Sequence, residues 1–522
     1  MASTTNQLDA QEYETLDLGN PAVLLATLKQ LRQAIYEEGQ ATLQQWQPRI
    51  QQPEFLSSAC NLAYYLALRH RDLRPLQTAL MPWGLSSLGR IEARVMPNLD
   101  AVIATLNAIV HPDVSKPPAQ PQLADFFEGS RLLQKHTEAM FGEAHGERRV
   151  RIMVTLPTEA ATDYEFVKSI VQRGADCVRI NCAHDTVAEW QAMIGHVQRA
   201  AQETGCSCKI HMDLGGPKPR TGEIFTATDR LRVFPGDHIL LTRSAPTAEQ
   251  ALSLPPNYFL TSCSIPEILD HLTVENHVWI DDGKIGATVI DCASNQLYGA
   301  QANTQPGVLL KVTHTFPKGN KLLADKGLNF PDTVLHISPL TDKDYQDLDF
   351  VATHADLIGY SFVQTAADIA LLQRELELRL PERTLPAIVA KLETPEAIRN
   401  LPELIVQAAG KQPFGVMIAR GDLAVEIGYQ RLAEIQEEIL WLCEAAHVPV
   451  IWATQVLETL VKKGVPSRGE ITDAAMAERA ECVMLNKGAF AAEAVTILDD
   501  VLTRMQAHQS KKTPQLRALR SW

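Results

Sequence analysis

Lys391 and Glu393 stand two residues apart inside an otherwise apolar run, Ala387-Ile-Val-Ala-Lys-Leu-Glu393. A second apolar run, Gly415-Val-Met-Ile-Ala-Arg-Gly-Asp422, also ends in an acid. In a strand, residues i and i+2 share a face, so Lys391 and Glu393 point the same way. Burying an unpaired ammonium or carboxylate is costly, so charges in such runs have partners or a task. Two acids and a lysine at neighbouring strand ends can hold a divalent cation and a phosphoryl group. A structural ion pair between Lys391 and Glu393 is the competing reading.

The elements that must carry these residues begin near residue 151, where short Val- and Ile-rich runs alternate with amphipathic helical stretches. Eight strand candidates cover 151–156, 177–181, 209–213, 357–362, 387–393, 416–419, 448–454 and 482–486. Eight βα units predict an α/β fold, a closed (β/α)8 TIM barrel with its chemistry at the C-terminal ends of the strands. Six of the eight end in Arg179/Asn181, Asp213, Ser361, Lys391/Glu393, Asp422 and Thr454. An open doubly wound sheet also alternates strand and helix, but it does not predict so many polar strand ends.

The third and fourth strands lie about 140 residues apart, far beyond an ordinary connection. Turn-rich, alternating stretches in that gap predict an inserted small β domain over 223–317, placed to act as a lid. The expected barrel is then 149–222 plus 318–506. Residues 1–148 read as a helical region, with apolar positions at three- and four-residue spacing over 21–36 and 55–69. Proline-rich punctuation follows at 111–121. Trp83 and Gly89-Arg90 could form a contact patch; a packed helical surface explains them as well. Residues 507–522 are expected to be a tail.

A chain of 522 residues needs more than one core, and 45% hydrophobic with 21% charged residues is a globular composition. The net charge of −14 opposes a nucleic-acid partner, while local Lys and Arg can still hold small anions. No run approaches the roughly 20 apolar residues that span a bilayer, and Met1–Gln7 lacks a secretory pattern. Nine cysteines are scattered. Cys206 and Cys208 have no second pair to complete a zinc site, so reduced thiols, a cytoplasmic protein and no membrane partner are expected.

The chain resembles the pyruvate kinase family. The matching segments are Arg179-Ile-Asn-Cys-Ala-His184, Met212-Asp-Leu-Gly-Gly-Pro-Lys-Pro-Arg-Thr-Gly222, Ile280-Asp-Asp-Gly283 and Asp325-Lys-Gly-Leu-Asn-Phe-Pro331. Ser361-Phe-Val363, Ala390-Lys-Leu-Glu393, Ala419-Arg-Gly-Asp-Leu423, Ala453-Thr-Gln-Val-Leu-Glu458 and Pro466-Ser-Arg-Gly-Glu470 follow in order. The resemblance implies the glycolytic transfer of a phosphoryl group from phosphoenolpyruvate to ADP, giving pyruvate and ATP in a homo-oligomer. It implies Mg²⁺ or Mn²⁺ on Glu393 and Asp422. Lys391 and Arg179 would then face the phosphoryl group, and Thr454 the enolate carbon. The N–H groups of Gly421 and Asp422 would meet the substrate carboxylate, with Ser361 among the substrate-binding residues. Arg220 and Lys326 would meet the nucleotide phosphates. From the residues alone, Arg179 could simply pair with Asp213, Thr454 could cap a strand, and Arg220 and Lys326 could be solvated.

The chain departs from the family pattern in several places. About 17 residues follow the last helical run, too few for the family's C-terminal regulatory domain, so regulation through it is not expected. The turn Thr155-Leu-Pro157 is a residue tighter, Leu214-Gly215 replaces a Thr-Lys pair, and Asn486-Lys-Gly488 replaces Ser-Gly-Glu. Those changes touch the nucleotide side more than the donor side. Ala183 and Leu214 remove two oxygen ligands of the family's K⁺ site and leave Asn181 and Asp213. Lys218 stands where K⁺-independent members carry lysine, so K⁺ is not expected to be required, with the Lys218 ammonium near Asp213 in its place. Two rival functions stand beside this one: a metal-dependent aldolase or lyase acting on a pyruvate enolate, and a non-catalytic regulatory barrel.

Overall fold

A computed structural model describes residues 16–86, 88–112, 119–228, 230–252, 254–292, 307–335, 337–381 and 383–515. Residues 1–15, most of the proline-rich stretch and the last seven residues lie outside them.

Eight parallel strands close the barrel: β1 (Arg151–Thr155), β2 (Cys177–Asn181), β3 (Lys209–Asp213), β4 (Leu357–Tyr360), β5 (Ala387–Leu392), β6 (Phe414–Ala419), β7 (Val450–Ala453) and β8 (Cys482–Leu485). Each pairs with its neighbours in sequence, and β8 returns to β1. All eight expected strands are present. β7 starts two residues later than 448, because Pro449 has no N–H to give a ladder. One face of each strand packs outward on the helices, through residues such as Ile152, Val178, Ile358 and Ile388. The other face fills the barrel axis with Met153, Cys177, Val389, Met417, Ile451 and Met484.

The N-terminal region is helical, with α1 (Pro21–Trp46), α2 (Leu56–Arg69), α3 (Val95–Val110) and α4 (Glu128–Phe141). Asn20 caps α1 by accepting from the Ala22 N–H, and Pro21 sits in the first turn, where its missing donor costs nothing. The first three share one apolar core with the barrel's outer helices. Polar ties reinforce it: the Trp46 indole donates to Glu403, 2.8 Å, and Asn61 to the Ala445 carbonyl, 2.8 Å. Trp83 packs against this core. The last residues of α4, Met140 and Phe141, enter the barrel axis from below and join its interior cluster. A Cβ on Gly415 would lie 2.6 Å from the Met140 methyl, so the strand stays bare where the plug enters.

Between β3 and β4 the chain builds a seven-stranded sheet from Phe225–Thr226, His238–Thr242, Tyr258–Ser262, His277–Ile280, Ile285–Asp291, Gly307–His314 and Leu328–Asn329. It has its own core of Ile239, Phe259, Val278, Ile285 and Leu310. Its pairing runs on past residue 317, because the returning chain lays Leu328–Asn329 against His277–Ile280 before it reaches the barrel. After the last barrel helix a hairpin, Gln509–Ser510 with Thr513–Pro514, folds under the barrel, where Lys511 pairs with Glu481 and Lys512 with Glu92. Among the described residues no helix is long and apolar enough to cross a membrane.

Candidate active site

The polar strand ends converge at the C-terminal mouth of the barrel. Lys391, next to last in β5, is 9% exposed, and its Nζ reaches Ser361 Oγ at 2.7 Å, Glu393 Oε1 at 3.0 Å and Asp213 Oδ2 at 3.4 Å. Burial alone would lower its pKa, but the charges of Asp213 and Glu393 outweigh that and hold it above the ordinary lysine value. It is a fixed ammonium.

Asp213 ends β3 fully buried. Arg179 donates to its Oδ2 from Nε at 2.8 Å and from Nη2 at 2.5 Å. His211 Nε2 lies 2.6 Å from Oδ1. Burial would raise the Asp213 pKa, but Arg179, Lys391 and His211 together hold it well below the carboxylate range. Both oxygens of Asp213 are therefore engaged by this chain's own donors. A Cβ on Gly359 would lie 1.8 Å from Oδ1, so the neighbouring strand can only be glycine there. Arg179 does pair with Asp213, as one reading of the sequence had it, and its Nη1 also reaches Thr155 Oγ1 at 3.3 Å.

Glu393 is 3% exposed, and its Oε2 accepts from the Phe362 N–H at 2.6 Å. Burial raises its pKa, Lys391 pulls it back, Asp422 pushes it up again, and the net result is above the ordinary value. Two carboxylates whose charges oppose each other in a cleft suit a hard divalent cation, which can take its remaining oxygens from substrate and water. Among the described residues no cluster of three or more metal-ligating side chains exists.

Asp422 lies in the first turn of α5 (Arg420–Ile427), directly after β6. The N–H of Gly421, expected to face a substrate, is held by Thr454 Oγ1 at 2.9 Å. Thr454 follows β7 with φ 65°, and Gln455 and Leu457 follow with φ 59° and 48°. Left-handed backbone at non-glycine residues costs about 1–3 kcal/mol each and persists only where the surroundings impose it. At Thr454 Arg420 holds it. Its guanidinium donates to the Ala453 carbonyl at 3.0 Å and the Thr454 carbonyl at 2.5 Å, forks onto Asp473, and lies 4.7 Å from the Trp452 ring centroid. Ser361 is 2% exposed, donates to the Leu214 carbonyl at 2.8 Å and accepts from Lys391, so it seats the lysine.

Lys218 corrects an expectation. Its Nζ sits 2.6 Å from Asp422 Oδ1 and 4.0 Å from Asp282 Oδ1, where the sequence placed it near Asp213. The loop after β3 turns sharply at Gly216, φ 68°, and carries the lysine across the mouth to α5. Arg220 donates to the Asp325 carbonyl at 3.0 Å, and Lys326 faces Asp281 at 3.6 Å; both are about one-third exposed on the side of the insert. Asn181 accepts from the Ala183 N–H at 3.2 Å. The exposed His184 has its pKa lowered by partial burial and by the positive charges of Lys487 and Arg220.

Residues 147–495 match the family model described as "Pyruvate kinase, barrel domain". A pyruvate kinase of Agrobacterium vitis is 31% identical over 371 residues, 69% of this chain and 70% of that protein. One from Dictyostelium discoideum is 28% identical over 69% of this chain and 67% of its own length. The chain belongs to the pyruvate kinase family. A further pyruvate kinase, from Thermococcus litoralis, is 28% identical over 71% of this chain and 72% of its own. The solved pyruvate kinase of Cryptosporidium parvum superposes with a TM-score of 0.59 at 24% identity, over 71% of this chain and 72% of that one, a likeness of fold.

As a pyruvate kinase family member the chain belongs among phosphotransferase enzymes. The structure brings Lys391, Glu393, Asp213, Arg179 and Ser361 into one contact network and Gly421 onto Thr454. It sets Arg220 and Lys326 apart on the insert side. The sequence reading missed His211, although its i−2 spacing from Asp213 in a strand marked it as sharing that face. It also missed Arg420, Asp473 and Lys487.

Proposed function

We propose that this protein transfers the phosphoryl group of phosphoenolpyruvate to ADP at the barrel mouth, giving pyruvate and ATP. The observation that supports this reading above others is the buried ammonium of Lys391, held between Asp213 and Glu393 with a raised pKa. Such a preorganised charge has most effect on a group whose negative charge must be stabilised in flight. The P–O bond to the enolate oxygen breaks, a terminal oxygen of ADP takes the phosphorus, and the enolate gains a proton at its methylene carbon. Lys391 and Arg179 neutralise the phosphoryl oxygens from two sides. Thr454 accepts from the Gly421 N–H, so its own hydroxyl proton is free to orient the water that protonates the enolate. Lys218 adds positive charge at Asp422, while Arg220, Lys326 and Lys487 form the basic rim for the nucleotide phosphates.

Glu393 and Asp422 would hold Mg²⁺ or Mn²⁺, which when bound would supply positive charge to offset that of the phosphoryl group. In this reading K⁺ is not required: Ala183 and Leu214 offer no side-chain oxygen, and Asp213 is already paired with Arg179, Lys391 and His211. The insert, whose core is separate from the barrel's, serves as the lid. A steady-state assay of pyruvate release, with and without ADP, tests the reading. Release that depends on ADP and on Mg²⁺ or Mn²⁺ is expected. Release from an enolate precursor without ADP would favour a lyase, and no turnover a binding protein.

A further inference from the structure

Along β3, Ile210 and Met212 turn outward to the helices, so His211 and Asp213 turn inward to the barrel axis. His211 stands level with Arg179 on β2 and Leu357 on β4 and is 0% exposed. Its Nε2 lies 2.6 Å from Asp213 Oδ1, and its buried Nδ1 has no hydrogen-bond partner among the described residues. The Asp213 carboxylate, flanked by Arg179 and Lys391, is ionised and only accepts, so Nε2 carries a proton and donates it. The single hydrogen bond of this buried ring goes to Asp213.

An imidazole buried with one nitrogen unmet is costly, and an apolar residue like those that fill the rest of the axis would not carry that cost. The neighbouring strand also leaves room for the pair. A Cβ on Gly359 of β4 would lie 2.5 Å from His211 Nε2 and 1.8 Å from Asp213 Oδ1. What the ring gains is control of Asp213. The last torsion of an aspartate is broad and two-fold, so one anchored oxygen does not fix the carboxylate plane. With Oδ1 held by His211, Oδ2 alone meets Arg179, at 2.8 Å from Nε and 2.5 Å from Nη2, and Lys391, at 3.4 Å.

Given phosphoryl transfer at the mouth, on which this rests, we infer that His211 is a positioning residue for that reaction: its Nε2–H fixes the plane of Asp213, and Asp213 through Oδ2 fixes Arg179 and Lys391 toward the phosphoryl oxygens. His211 acts through Asp213. Without its donor, Oδ1 becomes a buried carboxylate oxygen with no partner, and the carboxylate turns to share the two cations between its oxygens. Arg179 and Lys391 then lose their aim, and a misplacement of about 1 Å costs about 100-fold in rate.

Two side chains of equal length test this. Glutamine carries an N–H donor as many bonds from Cβ as histidine Nε2, and methionine ends there in a methyl group. In protein of normal circular dichroism, His211→Met should lower kcat about 10- to 100-fold while KM for phosphoenolpyruvate changes less than about threefold, and His211→Gln should recover most of the loss. The unmodified full chain, labelled with ¹⁵N-histidine, gives a readout that needs no variant to fold. Its NMR spectrum should hold a solvent-protected imidazole Nε2–H with a nuclear Overhauser contact to the Gly359 α-protons. Equal losses in Met and Gln, no loss in Met, a rise in KM alone, or no such N–H would overturn the role of His211 and leave phosphoryl transfer standing. An unmodified enzyme that makes no ATP would overturn the transfer itself, and with it the role of His211.

Discussion

The two ends of the barrel use charge in different ways. At the C-terminal mouth, Lys391, Arg179 and His211 converge on Asp213 and Glu393, and left-handed backbone at Phe362 and Thr454 is held in place by hydrogen bonds to the side chains of Glu393 and Arg420. At the N-terminal end, Met140 and Phe141 plug the axis with apolar bulk, and the remaining charges ring a cavity beside the plug. The mouth is a preorganised arrangement of buried charge and left-handed backbone. The lower end is packing plus a cavity, so it should govern stability and leave turnover largely alone.

The largest effect that could break this contrast is at Lys391. Lys391→Met should lower turnover by about 10³-fold or more with the fold retained, since one preorganised electrostatic group is already worth about 10²–10³. Turnover above a tenth of the unmodified enzyme, in protein of normal circular dichroism, would remove the lysine from the chemistry. Next comes Met140→Ala at the plug. Denaturant unfolding should show a loss of about 2–5 kcal/mol, while KM for phosphoenolpyruvate stays put. A large KM change with little loss of stability would merge the two ends that the structure separates.

His447 sharpens the same contrast through pH. It joins the helical region to the barrel, with Nδ1 2.9 Å from Ser58 Oγ, and burial lowers its pKa to about 4. The unfolded chain then binds a proton that the folded chain refuses as pH falls from about 6.5 toward 4, so this residue costs stability on acidification. Between pH 6.5 and 5 the cost is about 2 kcal/mol. Its φ of 53° suits asparagine, so His447→Asn should flatten the acid limb of the stability curve measured by urea unfolding. An unchanged slope would mean another group sets it. The smallest effect belongs to Lys218→Glu, which places a second acid against Asp422 and should lower kcat/KM about tenfold. K⁺ should not stimulate the unmodified enzyme; stimulation by K⁺ with Na⁺ inert at equal ionic strength would reopen the cation site at Asn181 and Asp213.

The eight strands were legible because parallel strands buried on both faces are continuous Val and Ile runs, and their polar last residues stood out against that background. Lys391, Glu393 and Asp213 were legible for the same reason. What escaped depends on tertiary neighbours. Arg420 reads as a helix-start residue until Asp473 and the Thr454 carbonyl arrive around it. Thr454, Gln455 and Leu457 adopt left-handed backbone without the glycine that normally announces it. Lys218 sat in a recognisable loop, but only the turn at Gly216 decides which acid it meets. Met140 and Phe141 look like the end of an ordinary amphipathic helix; nothing local marks them as a barrel plug.

The central claim is that the upper mouth moves a phosphoryl group between two substrates. ³¹P NMR of the purified protein with phosphoenolpyruvate, ADP and Mg²⁺ follows that group directly. The phosphoenolpyruvate resonance should decay as the γ-phosphate resonance of ATP grows in equal amount, and Lys391→Met should abolish both changes. Phosphoenolpyruvate that persists, or decays to inorganic phosphate without ATP, would contradict the claim.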